Sequence, residues 1–591
     1  MRSLVSLRWL LCAAAPLCLA ATLQGLRCEP TSRPIVRDLT PDLPYAVRVQ
    51  PGVTALDLPA TADFVDRLVI ASLADSGPHS IRLSAVPTDR SHTLPIAPWP
   101  GLESLIPTRH AKLAQTAHEA SAANSSTGDA TKLIPSERDF FLHVTDGSLN
   151  DPAQYARISA RPVAAGQRVR LWLDREAPLD APTQRLLEDI IAESDRLIPA
   201  LEATISPLRD VDGDGRLAIL LTPWLDRLQG GQTSLGGFVR STDFRALLAP
   251  PLGNRADILY LSTSLNPGLS LRTLLAHELT HACALTPRLP SSQAPRGLAD
   301  EEDWISEGMA HLAEVRHGDS SNIEHRAARF LADPARYPLV VPDYYRAGLW
   351  RNHGCRGATW SFHRWCEASF GPETIRHIVT GPDSGRRNLE RATGIPFPHL
   401  FRGWTLSLLN EDCEPPRIKR WNPTQELSLS IAPTAAAFVE LPPAEREGPA
   451  RRIQIAADPA ARLQVTLVRI PATRRTLELK ARWLPLRIAS SVETPEPLET
   501  LLSLSTDTDS GQTIDSVTLQ RFTQSEMQSL RFDRPDLAKH LSRSEARAAR
   551  LSLGRSATPE PDLPWLLRVE SRDGQGRRRF GWHELPAAGG W

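Results

Sequence analysis

"LLAHELTHACAL", Leu274 to Leu285, places two histidines four residues apart in an otherwise apolar stretch, with Glu278 directly after the first. At 3.6 residues per turn, positions four apart are offset by only about 40° around a helix axis, so His277 and His281 project from one face. Glu278 lies about 100° further round, beside them. Ser270 reads as an N-cap, Leu271, Leu274, Leu275, Leu279 and Ala282 recur at helical spacing, and Pro287 forbids continuation, which predicts a buried amphipathic helix. One buried histidine is ordinarily a core residue bonded to a carbonyl. Two of them with the intervening glutamate match H-E-x-x-H, in which imidazoles on one face take Zn²⁺ and the glutamate acts as base on the zinc-bound water.

A catalytic zinc needs a third protein ligand and an open fourth position. Downstream, "ADEEDWISEGMAHLAEVRHG", residues 299–318, carries Trp304, Ile305, Leu312 and Val315 at near-helical spacing, acids in its first turn, and Arg316, His317 and Gly318 at its end. That predicts a second amphipathic helix whose charges suit the helix dipole and whose glycine stops it. Glu307 lies in it, 26 residues after His281, beside Gly308, which would admit another backbone closely. Read alone, Glu307 is a solvent-facing residue of an acidic segment.

The two segments together resemble the gluzincin metallopeptidases: His277-Glu278-x-x-His281 followed by Trp304-Ile305-x-Glu307-Gly308-x-Ala310. The likeness extends through "DVDGDGRLAILLTPW", "GGFVRSTDF" and "ADILYLST", in that order, and is similar to the secreted, hyicolysin-like branch. It covers about residues 137–410 and touches "APTAAAFVE" at 432–440. It implies a zincin-like α+β domain, a zinc held by His277, His281 and Glu307, and hydrolysis of peptide bonds in protein or peptide substrates with Glu278 as the general base. Asp303, His311 and Glu314 are candidates to orient the ligand imidazoles. In this family a tyrosine or histidine downstream of the third ligand usually stabilises the oxyanion; where a tyrosine tends to stand, this chain has His353, Gly354 and Cys355. His353, Tyr344 and Tyr345 are therefore the candidates for that role. The glycine-rich "GGFV" at 236–239 implies an edge strand that pairs with extended substrate. An aminopeptidase of the gluzincin type, suggested by "SEGMAH", and a non-catalytic zincin-like adhesion or carbohydrate-binding surface protein are the alternatives; the ligand set is undegraded and no signature for a free amine is visible, so an endopeptidase is expected.

A chain of 591 residues is too long for one core, so several domains are expected. Residues 1–25 show Arg2 and Arg8, an apolar run from Trp9 to Ala21 and small residues around Ala20, as a signal peptide does. This predicts a secreted or periplasmic protein, with no integral membrane segment after signal removal because no later run of about 18 apolar residues appears. Lys+Arg and Asp+Glu both number 68, so there is no basic field for nucleic acid. Oligomeric state is left open. Of seven cysteines, Cys12 and Cys18 fall in the signal, leaving Cys28 and Cys283, Cys355, Cys366 and Cys413, among which one or two bridges are candidates. Cys283 lies on the zinc helix but points away from the metal face.

Residues 30–92 alternate "YAVRVQ", "RLVIASL" and "SIRLSAV" with turn residues and predict an N-terminal β-sandwich-like domain. Residues 93–135 lose periodicity and read as a linker, in which His118-Glu119 has no second histidine. Residues 136–415 form the expected metallopeptidase domain, with strands "FFLHV", "RVRLWLD" and "LAILL" and a helix "PTQRLLEDIIAESDRLI" packed on the sheet. Residues 416–591 are β-rich with a helical piece near 535–550 and predict a C-terminal sandwich-like domain. In "DVDGDGRL", Asp210, Asp212 and Asp214 imitate half of an EF-hand loop, but Leu221 stands where the bidentate glutamate belongs, so calcium competes with a plain Asp/Gly turn.

Overall fold

The computed structural model describes residues 39–585 apart from 59–60, 89–95, 103–134, 146, 229–234, 291–296, 351, 410–414, 444–449, 473–478, 486–499, 507–512, 523–526, 534–547, 553–564 and 573–577. It is a mixed α/β protein with several sheets and, among the described residues, eight helices. The expected signal at 1–25, His118-Glu119, Cys28 and Cys413 lie outside the described residues.

A six-stranded sheet carries the site. Its strands are β1 (Arg138–His143), β2 (Tyr155–Ala165), β3 (Val169–Asp174), β4 (Leu217–Thr222), β5 (Gly237–Val239) and β6 (Ile258–Ser262), in the order β5-β6-β4-β3-β2-β1. The β3, β4 and β6 strands are parallel, and β5 joins β6 antiparallel at the edge. Parallel strands are covered on both faces, which accounts for the largely apolar sequences of β3, β4 and β6, every residue of which is buried. Alternate residues part to opposite sides: Leu171, Ile219 and Leu261 face the helices, while Trp172, Leu220 and Tyr260 enter a second core with Phe140 and Ile158.

Helix α1 (Ala181–Thr204) starts where Asp180 caps the Thr183 N–H at 3.0 Å, and it buries Leu186, Leu187, Ile190, Leu197 and Ile198 as its spacing predicts. Next come α2 (Leu269–Leu285), α3 (Asp303–His317), α4 (Ser321–Ala332) and α5 (His353–Phe370), then α6 (Glu373–Val379), α7 (Gly385–Thr393) and α8 (Phe397–Ser407). Helix α2 is capped two residues before the expected position, at Gly268, whose φ of 115° suits glycine, so Ser270 lies inside it. It packs between α1 and α3, and α3 packs on α5. Gly308 does admit a close neighbour, but that neighbour is the buried ring of His363 on α5, not a backbone.

The terminal β regions depart from the expected division. Strands from 44–98 and 418–471 interleave into one two-layer sandwich. One sheet runs Ile418–Arg420, Ala436–Leu441, Phe64–Ser72, Leu463–Pro471, Pro44–Val47, Ile96–Pro98, and the other Leu427–Ile431, His79–Thr88, Ala450–Ala457, Gly52–Leu58. The boundary expected at 416 therefore precedes strands that complete the N-terminal unit, and the expected linker contributes the strand Ile96–Pro98. The physical reason is edge pairing: Phe64–Ser72 fills both its edges with strands from beyond residue 430, which local alternation cannot reveal. Charges pin the register. Arg469 lies directly opposite Asp66 and binds it with two hydrogen bonds of 2.7 and 2.8 Å, both side chains buried, and Arg67 meets Glu440 at 3.0 Å.

The remaining described chain forms a three-stranded and a four-stranded antiparallel sheet between 479 and 585. Most of the expected helical piece, 535–547, lies outside the described residues, its end joins the strand Ala548–Ser552, and "GWHEL" lies in the last strand, Arg578–Leu585. Cys283, Cys355 and Cys366 are buried and unpaired rather than bridged, each thiol pushed up by burial. No helix among the described residues is long and apolar enough to cross a membrane.

Removing one partner of the buried pair across the two chain ends strands a charge. Asp66→Ala is expected to destabilise by about 3–5 kcal/mol, and pairing it with Arg469→Met to recover much of that loss. Thermal unfolding of the two variants checks this; equal destabilisation by the single and the double change would show that the pair does not join the ends.

Candidate metal centre

Helix α2 presents His277 and His281 one turn apart, and α3, packed against it, presents Glu307 to the same point. His277 Nε2 lies 3.2 Å from His281 Nε2 and 3.4 Å from Glu307 Oε2, and His281 Nε2 lies 4.0 Å from Glu307 Oε1. Donors arranged tetrahedrally at about 2.0–2.1 Å around a zinc ion sit roughly 3.3 Å from one another, so the two Nε2 atoms and the Glu307 carboxylate are spaced to hold such an ion.

What stands behind the imidazoles supports the fit. Glu314, two turns along α3 from Glu307, accepts from His277 Nδ1 at 2.6 Å and from His311 Nδ1 at 3.0 Å. A carboxylate only accepts, so the Nδ1 atoms carry the protons and the His277 Nε2 lone pair faces the centre. His311 completes the chain by accepting at Nε2 from Arg326, 2.9 Å away. Burial opposes the charge on Glu314, yet His311 and His277 hold its carboxyl well below the usual range. Burial keeps His311 neutral, its pKa lowered to about 4, and drives His281 well below the ordinary histidine value, reinforced by His277 and Arg356. His277, His311 and Glu314 also cluster as potential ligands, but their facing atoms are already joined by hydrogen bonds.

Of the three expected orienting residues, Glu314 contacts a candidate ligand imidazole directly and His311 supports Glu314. Asp303 does something else: its carboxylate accepts from the Tyr344 N–H at 2.7 Å. His281 is met by Ser306, whose Oγ lies 2.9 Å from Nδ1. Ser306 adjoins Glu307 in the sequence, yet no spacing rule singles it out.

Glu278 is 6 % exposed and lines a cavity of about 680 Å³ together with the three candidate ligands, Phe238 and Val239 of β5, and Trp350. Burial raises its pKa, and the Val239 N–H opposes the shift by bonding the carboxylate. Glycine lets the edge strand lie close on β6, since a Cβ at Gly237 would meet the Tyr260 carbonyl at 2.9 Å, and the same position faces the Glu278 Cγ of α2 at 3.7 Å. Beyond β5 the chain is anchored by fully buried Asp243, which accepts from the Tyr260 hydroxyl at 2.7 Å and the Asn254 N–H at 2.8 Å.

The three oxyanion candidates separate. His353 lines the cavity, with its ring 5.2 Å from that of His325 and its pKa lowered to about 4 by burial and Arg326. Tyr344 is 1 % exposed beneath the Arg356 guanidinium, and Tyr345 is 57 % exposed; neither lines the cavity. Arg356, which the sequence reading passes over, does line it and forms an ion pair with Glu307.

At the aspartate loop, Asp210 accepts from the N–H groups of Gly213, Asp214 and Gly215 at 2.7, 3.1 and 3.0 Å, closing a turn in which Gly213 and Gly215 have φ of 76° and 75°. Asp214 is drawn off to Arg170, so the clustered carboxylates are Asp210, Asp212 and buried Asp257. Asp212 is itself paired with Arg138 at 2.7 Å, and burial raises Asp257 well above the ordinary range. Calcium thus stays a proposal for Asp210, Asp212 and Asp257, with Asp214 removed from the set.

If the loop takes calcium, added Ca²⁺ raises the melting temperature of the wild type by mass action and not that of Asp257→Asn; identical curves would leave an ion-paired turn. If the centre takes zinc, Glu314→Gln weakens its binding by about 10- to 100-fold in chelator competition, because the His277 imidazole loses its anionic anchor; unchanged affinity would remove Glu314 from the centre. No protein-family description and no curated protein matches this chain.

Proposed function

We propose that the protein is a zinc-dependent endopeptidase of zincin-like fold, exported by residues 1–25. The observation that carries the reading is the meeting of His277, His281 and Glu307 at 3.2–4.0 Å, beside a buried glutamate in an open cavity. A zinc ion bound there would polarise a carbonyl and lower the pKa of water towards 7.

The protein's own groups do the rest. As the water oxygen bonds to the scissile carbonyl carbon, one water proton passes to Glu278 and the π pair moves onto the carbonyl oxygen. When that pair returns, the C–N bond breaks and the nitrogen leaves with the proton from Glu278. The raised pKa of Glu278 suits a group that must take this proton and later release it. Strand β5 borders the cavity at the sheet's edge, so an extended peptide can add to it through main-chain hydrogen bonds.

Internal cleavage is favoured over aminopeptidase action by how the other acids of the cavity wall are used. Asp300 pairs with Arg245 at 3.0 Å, Glu301 with Arg288 at 2.7 Å, and Asp303 accepts from Tyr344. Each of the three already has a partner within the protein. A purely adhesive role would not require the Glu314 and Ser306 anchors behind the histidines.

Metal analysis with a peptide-library cleavage profile tests the assignment on the full-length protein. Glu307→Ala should lose zinc, whereas Glu278→Ala should keep it, and both should lose peptidase activity. Full zinc content in Glu307→Ala would sink the ligand set.

A further inference from the structure

In the peptidase reading, negative charge builds on the substrate's carbonyl oxygen, and a donor must meet it. Tyr344 and Tyr345 are outside the cavity, and His353 is turned to His325. Arg356 stands one turn further along α5 than His353, inside the cavity and against Glu307. Its guanidinium is fixed in plane: the Cζ atom lies 4.4 Å from the centre of the Tyr344 ring, and Nη2 donates to the Trp350 carbonyl at 3.3 Å. Tyr344 is in turn fixed by Asp303, whose carboxylate holds its backbone N–H at 2.7 Å. A guanidinium has five N–H donors, so the contacts to Glu307 and Trp350 leave donors for a third partner.

We propose that Arg356 is a catalytic residue, donating to the scissile carbonyl oxygen as it becomes an oxyanion, in the place where a tyrosine or histidine was expected. The inference rests on the peptidase reading. A planar cation held on an aromatic ring and backed by a carboxylate is preorganised for this, since its donors need not reorient as charge develops. It also explains the buried arrangement around it: Asp303 and Tyr344 touch no ligand histidine, but together they form the shelf on which Arg356 lies.

The test uses full-length, zinc-loaded protein, a fluorogenic peptide that the wild type cleaves, and a phosphinic peptide of the same sequence as a tetrahedral mimic. Arg356→Gln should retain zinc, lose about 10²- to 10³-fold in kcat with little change in KM, and bind the phosphinic peptide correspondingly more weakly. Arg356→Lys keeps the charge without the fork and should still fall at least about tenfold, which serves if the glutamine variant does not fold. Wild-type kcat in a folded Arg356 variant, a loss confined to His353→Ala, or a loss that tracks missing zinc would each overturn the role. A wild type that cleaves no peptide and binds no phosphinic peptide refutes the peptidase reading itself, whereas an active wild type with an unaffected Arg356→Gln removes only this inference.

Discussion

A single buried carboxylate joins the two helices on which the site is built. Glu314 of α3 accepts from His277 of α2 and from His311 of its own helix, so rotation or sliding of either helix would break a charge-assisted bond to a buried carboxylate. That bond sets which nitrogen of His277 faces the centre, and it holds Glu307 in register two turns away. The closeness of the helices has the same steric basis at their ends, where Gly318 of α3 lies against Thr273 of α2 and no Cβ would fit. Ligand geometry, tautomer and helix packing are thus one constraint seen from three sides.

The centre gathers buried and half-buried charge. Glu278, Glu307 and Glu314 stand among Arg326 and Arg356, and burial moves Glu278 upward and Arg356 down to about 10. A protein tolerates such a cluster only where opposite charges are adjacent and hydrogen-bonded. Here each arginine is placed against a group of the centre, Arg326 on His311 and Arg356 on Glu307. In the wider cavity wall Asp300 and Glu301 follow the same rule, paired with Arg245 and Arg288, while Asp303 accepts from the Tyr344 backbone.

What the amino-acid order reveals and what it hides divide along contact distance. His277, Glu278 and His281 are legible because four residues make one helical turn, and the strands β1, β3 and β4 and helix α1 follow from local patterns of period two and 3.6. Glu307 is brought to the histidines by packing, and only the resemblance of its surroundings marked it in advance. Arg356 had no signal at all: nearly all the cations in this chain are arginines, and one more in "HGCRGATW" is unremarkable. Asp257 lies unremarked within "ADILYLST", and its meeting with Asp210 and Asp212 depends on which strand neighbours which. The sandwich was misdivided for the same reason, since alternation shows that a segment is a strand but not which edge it will find.

That sandwich bears on how the molecule is made. The strands between 44 and 98 leave the ribosome long before their partners at 418–471, and at about 5–20 residues per second the wait is on the order of tens of seconds. Throughout it, Phe64–Ser72, whose residues are nearly all buried in the finished protein, has neither neighbour to cover its edges. Such a segment is a template for wrong pairing between nascent chains. In the finished protein the helical unit between the two halves returns its own ends to one sandwich, so the sandwich closes only after that whole unit has been made, as a folded insert or as a long loop.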